Sequence, residues 1–456
     1  MTNSIAEFER DSNVIFVIGS NTTACHPMIA SRIIKAKEKG ARLIVADPRN
    51  IQLAGMADLC VHHRLGSDVA LLNGMMHVIL KNNWHSEDYI HDRCEDFDAF
   101  KQVMDHYTPE RVSKITQVEQ KDIERMAELY ATHSPAALLY AMGITQHTTG
   151  LTITDMISAI DEGRIKAMYV IGENPKLSDP DWNHLNHALK KLDFLLVQDI
   201  FLSETAQIAD TVFSSAALGE REGTFTNTER RCMRTRKAVA PVGNTLSDWE
   251  IISKLATAMG YPMAYTSAQD IFDEITALTE KNYGGMTYDR LGINGLQWPC
   301  PDGDHPGTPY LHKDVFARGK GKFHAVEYRD PAELACEDYP FLLTTGRMFA
   351  HFHTGTMTRI SKHLDVEQKT GYVEINPEDA QRKKIMPDET VLLTSRRGQM
   401  EVPARITTAV RPGTLFLPIH FGENPTNILT SSSAFDPLAK IPEFKVGAVK
   451  LEKLIQ

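Results

Sequence analysis

One pattern constrains this chain more than any other: it states the same strand–turn–helix–strand plan twice. Val14-Ile15-Phe16-Val17-Ile18-Gly19-Ser20-Asn21 opens one half, and Ala167-Met168-Tyr169-Val170-Ile171-Gly172-Glu173-Asn174-Pro175 opens the other. Asp47 follows Gly19 by 28 residues, and Asp199 follows Gly172 by 27. Ala57-Asp58 and Ala209-Asp210 come 11 residues after those aspartates, and Leu65-Gly66 and Leu218-Gly219 complete the match. The landmarks recur at an offset of 152–153 residues. Such a repeat predicts two like domains, and a ligand with two nucleotide-like ends would need a doubled site.

A chain of 456 residues is long for a single core, so several domains are expected. The formal net charge of -10 argues against a nucleic-acid partner. The N-terminal stretch Met1-Thr2-Asn3-Ser4-Ile5-Ala6-Glu7 is polar and acidic and reads as no secretory signal. No apolar run approaches the roughly 20 residues of a membrane span. A cytoplasmic protein without a membrane span is expected. The six cysteines (Cys25, Cys60, Cys94, Cys232, Cys300 and Cys336) form no C-x-x-C pair. They read as free thiols, so neither a metal site nor an iron–sulfur cluster held by this chain is expected.

Val14–Ile18 and Leu43–Val45 suit buried parallel strands, and Pro27–Lys39 suits the helix between them, stopped by Gly40. Pro109–Thr116 is a turn into a further helix, Glu119–Thr132, and Ala136–Tyr140 is another strand. In the second half, strands Met168–Ile171 and Phe194–Val197 flank a helix over Trp182–Lys191, and Asp248–Met259 is a helix. From about Tyr339 the texture changes. Phe341–Thr345, Gly371–Ile375, Thr390–Thr394, Gln399–Ile406 and Thr414–Ile419 read as short strands between turn signals, hence a β-barrel-like domain. Lys281–Lys322, rich in Gly and Pro, reads as an irregular surface connector.

Gly19-Ser20-Asn21 and Gly172-Glu173-Asn174 lie at strand C-termini, where ligands bind in doubly wound sheets. Asp47 and Asp199 end the following strands, where a carboxylate can accept hydrogen bonds from a ribose or a guanine edge. Asp47 also suits a helix N-cap, with Pro48 in an N1-like position. Neither half has G-x-G-x-x-G, so a conventional NAD-dependent dehydrogenase is not supported. The run Gly219–Arg231, with its Arg230-Arg231 pair, is either a solvated basic face or a holder for a phosphate or an acidic ring. Thr344-Thr345-Gly346-Arg347 before His351-Phe352-His353 could face a pyrophosphate and polar rings, or be a surface turn.

Together these segments resemble the molybdopterin oxidoreductase family, and within it the formate dehydrogenase alpha (catalytic) subunits. The runs that carry the resemblance are Val17–Pro27, Val45–Arg49, Gly143–Gln146, Ile171–Pro175, Val197–Phe201, Gly219–Arg231, Thr345–Gly355 and Asn427–Lys445. It implies an α/β fold of the formate dehydrogenase/DMSO reductase type, with two Rossmann-like doubly wound domains and a C-terminal β-barrel. The implied boundaries are 1–150 and 151–335 for the two dinucleotide-binding domains and 336–456 for the capping barrel. The implied cofactors are two molybdopterin guanine dinucleotides around one molybdenum or tungsten. Carried over by position, Gly19, Asn21, Asp47, Arg49, Gly66 and Asp68 would serve one dinucleotide. Met142, Gly143, Gln146, Gly172, Glu173, Asn174, Gln198, Asp199, Ser214 and Asp248 would serve mostly the other. The barrel would contribute Arg347, His351, His420, Asn427 and Lys445.

The chain departs from the family pattern in two places. The family's cluster-binding cysteines and the Cys or selenocysteine–His pair at the metal precede the segment matched by Met1-Thr2-Asn3. A long family segment, including the arginine that faces formate, has no counterpart where Gly150 runs into Leu151. The expectation is therefore a truncated or split alpha subunit, with formate as substrate and other formate dehydrogenase subunits as partners in the complete enzyme. No catalytic residue or metal ligand is expected in this chain, and alone it should be inactive. The alternative is a pterin-dinucleotide carrier or assembly partner that never turns over.

Overall fold

The computed structural model describes residues 3–140, 151–436 and 440–454. Two compact units emerge. The larger comprises Phe8–Lys166, Asn174–Asp193 and Arg318–Gln456; the smaller comprises Met1–Glu7, Ala167–Glu173 and Phe194–Ala317.

In the larger unit, strands β1 (Val14–Ile18), β2 (Arg42–Ala46), β3 (Leu59–Val61) and β4 (Ala136–Tyr140) form a parallel sheet ordered β3-β2-β1-β4. All of β1 is buried, as expected of a strand covered on both faces. Val14, Phe16 and Ile18 point into one core with Leu71, Met75 and Val78 of helix Asp68–Lys81 and Ile123 and Met126 of helix Gln120–Thr132. Ile15 and Val17 point the other way, onto Ile33 and Ala36 of helix Pro27–Glu38. Strict alternation of burial partners within one apolar strand makes the sheet doubly wound. Pro109–Thr116, read as a turn, is itself helical, with Pro109 in its first turn and Thr108 capping Arg111 N–H.

In the smaller unit, β5 (Ala167–Ile171), β6 (Phe194–Asp199) and β7 (Thr211–Ser214) form a second parallel sheet ordered β5-β6-β7. The chain continues into an antiparallel sheet of β8 (Gly223–Thr226), β9 (Arg231–Thr235) and β10 (Leu296–Gln297). The reading of Lys281–Lys322 as a surface connector fails here. Met286, Tyr288, Leu291 and Cys300 are buried with Cys232 and Phe272 in a core of their own.

The C-terminal part of the larger unit is a closed barrel. Its strands are β11 (Phe341–Gly346), β12 (Val373–Ile375), β13 (Thr390–Thr394), β14 (Gln399–Ile406), β15 (Thr414–Pro418) and β16 (Gly447–Lys453), ordered β11-β15-β12-β14-β13-β16. Alternate residues fill its interior: Met400, Val402 and Ala404 of β14, Val391 and Leu393 of β13, Val449 and Leu451 of β16. The doubly wound sheets and the barrel are those of the expected formate dehydrogenase/DMSO reductase-like fold. No helix among the described residues is long and apolar enough to cross a membrane.

Candidate functional site

The repeat in the sequence is a repeat of backbone geometry. Gly19 leaves β1 with φ +60° and Gly172 leaves β5 with φ +62°, a region side-chain-bearing residues avoid. Gly19 N–H donates to Ala46 O at 2.9 Å, and Gly172 N–H donates to Gln198 O at 2.9 Å. Each glycine thus ties the end of its strand to the end of the next one. Asn21 and Asn174 then precede the short helices Thr22–Cys25 and Pro175–Ser178. Asn21 Oδ1 accepts from the Thr23 hydroxyl at 3.1 Å, and Asn174 Nδ2 donates to Thr356 Oγ1 at 3.0 Å.

The repeated aspartates divide into two kinds. Asp58 and Asp210 are straps. Asp58 Oδ2 accepts from Leu43 N–H at 2.7 Å, and Asp58 N–H donates to Leu43 O at 2.8 Å. Asp210 makes the same pair with Leu195, at 2.7 and 2.9 Å. Asp47 and Asp199 sit at the sheet ends beside the glycine turns. Asp47 is buried and its Oδ1 accepts from Arg49 N–H at 2.9 Å. It is not a helix cap: the next helical turn starts at Gln52, with Ile51 before it. Burial pushes its carboxyl above the usual range, against the Arg49 backbone hydrogen bond. Asp199 Oδ1 accepts from Ile200 N–H at 2.6 Å. The last landmark is not a structural repeat. Gly66 has φ +73° and a Cβ there would lie 2.4 Å from Pro331 Cγ, whereas Gly219 has no positive φ and, among the described residues, only Val239 within 4 Å of such a Cβ.

In the larger unit a cationic group forms around the first glycine turn. Arg49 pairs with Glu374 at 2.8 Å and lies 3.5 Å over the Phe416 ring, while its buried Nε has no partner among the described residues. Lys445 Nζ donates to Thr345 O at 2.6 Å, and burial pushes its ammonium below the usual range. Arg347, Lys445 and Arg49 all act on the Cys25 thiol, whose burial nonetheless raises it. Asp68 Oδ1 accepts from His63 Nε2 at 3.1 Å and lies 3.5 Å from where a Cβ of Gly19 would be. Burial raises the Asp68 carboxyl, but His63 outweighs it and the net shift is downward.

Other barrel residues are committed to the protein itself. The His420 ring donates from Nδ1 to His353 O at 2.5 Å and accepts at Nε2 from Met348 N–H at 2.8 Å. His351 donates from Nε2 to Gln368 O at 2.8 Å. Asn427 Nδ2 donates to Leu177 O and Ser178 O at 2.8 and 3.0 Å, holding the short helix that follows Asn174. Thr345 Oγ1 donates to Phe444 O at 2.8 Å, so that hydroxyl proton is already committed within the protein.

In the smaller unit Gln198 is fully buried; it accepts from Tyr169 OH and donates from Nε2 to Asp248 Oδ1 at 2.8 Å. Asp248 also pairs with Arg221 and opens the helix Asp248–Ala258, where Ser247 N–H donates to Glu250 Oε2 at 2.9 Å. Ser214 and Glu173 are exposed at the strand ends. Ser215 Oγ and Arg221 Nε are buried without a partner among the described residues. The basic run is not a phosphate holder at Arg230. That side chain is 4% exposed and donates to Trp298 O, to Thr308 O at 2.9 Å and to Pro309 O at 3.1 Å. Met142, Gly143, Gln146 and the Gly150–Leu151 junction's first residue lie outside the described residues. His63, Glu374 and Phe416 are absent from the sequence-derived set, whereas Arg221 falls within the Gly219–Arg231 run. A spacing rule could not find those three, because each owes its place to a partner brought near by folding.

A family model described as Molybdopterin oxidoreductase matches residues 1–258, and one described as Molydopterin dinucleotide binding domain matches residues 341–448. The chain is 41% identical to F420-dependent formate dehydrogenase 1 subunit alpha of Methanococcus maripaludis, over all of this chain and 78% of that protein. It is 42% identical to F420-dependent formate dehydrogenase subunit alpha of Methanocaldococcus jannaschii, with the same coverage, and 31% identical to formate dehydrogenase H of Escherichia coli, over 74% of that protein. The Methanococcus alignment runs over 530 positions, more than the 456 residues of this chain, so that relative carries internal residues without a counterpart here. Acetylene hydratase from Pelobacter acetylenicus shares the fold, with a TM-score of 0.81 over 99% of this chain and 81% of that one at 17% identity.

Proposed function

The chain belongs to the molybdopterin oxidoreductase family, and from that premise we propose that it is the dinucleotide-holding part of a formate dehydrogenase alpha subunit. Three domains, 1–150, 151–335 and 336–456, divide the work in this reading. A pterin guanine dinucleotide presents a pyrophosphate and a guanine, and the chain offers groups suited to both. Arg49, Arg347 and Lys445 are cations gathered around Cys25, and the Nε of Arg49 is buried with no partner among the described residues. Asp47 and Asp199 are carboxylates at the strand ends, able to accept two hydrogen bonds from a guanine edge. The observation that carries the reading is the twin turn: Gly19 and Gly172 share a φ near +60° and the same 2.9 Å bond to the neighbouring strand.

In this assignment Gly19, Asn21, Asp47, Arg49, Gly66 and Asp68 hold one dinucleotide, and Gly172, Glu173, Asn174, Gln198, Asp199, Ser214 and Asp248 hold the other. Met142, Gly143 and Gln146 belong with the second set by resemblance. His351, His420 and Asn427 shape the barrel's contribution through their bonds to backbone carbonyls and amides. When bound with molybdenum or tungsten, the cofactor supplies the redox chemistry by which formate becomes carbon dioxide. The residues of this chain bind it, neutralise its charge and exclude water. Because internal residues of the relatives have no counterpart here, the chain by itself oxidises no formate.

The test is to purify the full chain from a host that makes the cofactor and to assay guanine nucleotide, metal and formate-dependent viologen reduction. Stoichiometric guanine nucleotide without turnover is the expected result. A chain that retains no nucleotide refutes the binding assignment; robust dye reduction refutes the inactivity. Transfer of the bound dinucleotide to a cofactor-free enzyme would favour the carrier alternative.

A further inference from the structure

Between β3 and the helix Asp68–Lys81 the chain makes a tight turn that is fixed at several points. Arg64 N–H donates to Thr116 O at 2.8 Å. Arg64 O accepts from Ser67 N–H at 3.1 Å and from the fully buried Ser67 hydroxyl at 2.6 Å. Gly66, with its φ of +73°, lies against Pro331. A turn held in this way sets the distance between the residues at its two ends, His63 and Asp68.

The His63 side chain is 0% exposed. Its Nε2 lies 3.1 Å from Asp68 Oδ1, and its Nδ1 is buried with no partner among the described residues. The ring hydrogen therefore belongs on Nε2, where it has an acceptor; on Nδ1 it would be a buried N–H without one. A leucine would fill the same space without leaving a nitrogen unpaired, so packing alone does not account for a histidine here. Asp68 differs from its partner. Its side chain is 44% exposed, it opens the helix, and its Oδ1 lies 3.5 Å from where a Cβ of Gly19 would stand. The carboxylate rests in the crook of the first glycine turn. One oxygen is tied to the core, and among the described residues no hydrogen bond from another residue reaches the second. His63 also acts on Asp47, the buried carboxyl at the end of β2.

We propose that His63 is a positioning residue of the first dinucleotide site: it fixes Asp68 with one oxygen turned to the core, so that the other accepts a hydrogen bond from an N–H or O–H group of the bound dinucleotide. The inference rests on the reading of the chain as a dinucleotide holder. His63, being wholly buried, acts through Asp68. A free carboxylate turns among its rotamers, whereas a tied one is ordered before the ligand arrives, and binding then loses less entropy. The same contact keeps the carboxyl ionised against the pull of burial, and only the ionised form offers acceptors alone.

The test uses the full chain purified from a host that makes the cofactor. It reads bound guanine nucleotide, the rate at which nucleotide is lost on dilution, and melting temperature. His63→Leu should melt close to wild type, because it removes the unpaired nitrogen, yet lose nucleotide about tenfold faster. His63→Gln, whose amide nitrogen can take the place of Nε2–H, should restore most of the retention. The double variant His63→Leu with Asp68→Ala should lose nucleotide no faster than Asp68→Ala alone, because the two residues act as one unit. Equal retention by wild type and His63→Leu overturns the proposal and leaves the dinucleotide reading intact. So does a double variant whose defect is the sum of the singles, or a defect that glutamine does not restore, which marks a packing role. Should the leucine variant not fold, Asp68→Ala decides: unchanged retention there overturns the proposal as well. A wild-type chain that holds no guanine nucleotide overturns the dinucleotide reading itself, and this inference with it.

Discussion

Replacing His420 with glutamine should remove most of a pH dependence that the wild-type chain shows between pH 7.5 and 4.5. The His420 ring is fully buried, and both its nitrogens are used, Nδ1–H on His353 O and Nε2 as acceptor for Met348 N–H. Protonation would set two N–H groups against each other at Nε2. Burial, with the charges of His351, Arg347 and His353 nearby, pushes the ring from its ordinary 6.5 down to about 4. Above pH 6.5 the folded and unfolded rings are both neutral and stability is full. As pH falls below that value the unfolded chain takes up a proton that the folded chain refuses until about pH 4. Stability is therefore lost over that window, and at about 1.4 kcal/mol per unit the loss is roughly 2 kcal/mol by pH 5 and 3 by pH 4. At pH 5 that is on the order of 4–8 °C in melting temperature. The assay is thermal unfolding of wild type and His420→Gln across the window, with the ring titration followed by NMR. Parallel slopes for the two proteins, or a ring that titrates near its ordinary value, would refute the reasoning.

Three further outcomes are expected. Asp210→Ala should destabilise the smaller unit by about 1–3 kcal/mol by orphaning Leu195 N–H, without lowering guanine nucleotide content; a chemical-denaturation curve beside a nucleotide assay separates the two. Asp199→Ala should do the reverse, weakening dinucleotide retention by roughly 1–3 kcal/mol with little change in melting; a strong drop in melting with unchanged cofactor content would make it a structural residue. Gly66→Ala should cost about 1–3 kcal/mol, because a left-handed φ and a Cβ 2.4 Å from Pro331 Cγ must both be accommodated, while Gly219→Ala should be close to neutral.

How far the sequence could be read follows from which interactions are local. The glycine turns were legible because each needs only a strand, a glycine and the strand beside it. The barrel strands Thr390–Thr394 and Gln399–Ile406 are legible to their observed ends, since their alternation reports burial residue by residue. Helix Asp68–Lys81 is not legible from its period: Val69, Ala70, Leu71, Leu72, Met75, Met76, Val78 and Ile79 nearly surround it, which blurs the 3.6-residue repeat. β16 has no clear sequence signature either, because Gly447, Ala448 and Val449 are all buried and only Lys450–Lys453 alternates, yet the barrel does not close without it. The match of Leu65-Gly66 with Leu218-Gly219 was one of letters only, because the first glycine lies under Pro331 and the second does not.

By itself the sequence determined the doubled βα plan, the glycine turns, the Asp58 and Asp210 positions and most of the barrel, all consequences of neighbours within a strand, a turn or a repeat. Tertiary structure alone decided which polar atoms are already committed. Arg49 meets Glu374 across 325 residues of chain, Arg230 is tied to carbonyls of Trp298, Thr308 and Pro309, and both nitrogens of His420 go to backbone groups. The reason is physical: a buried polar group must be paired, and its partner is set by what the fold brings within 3 Å rather than by spacing along the chain.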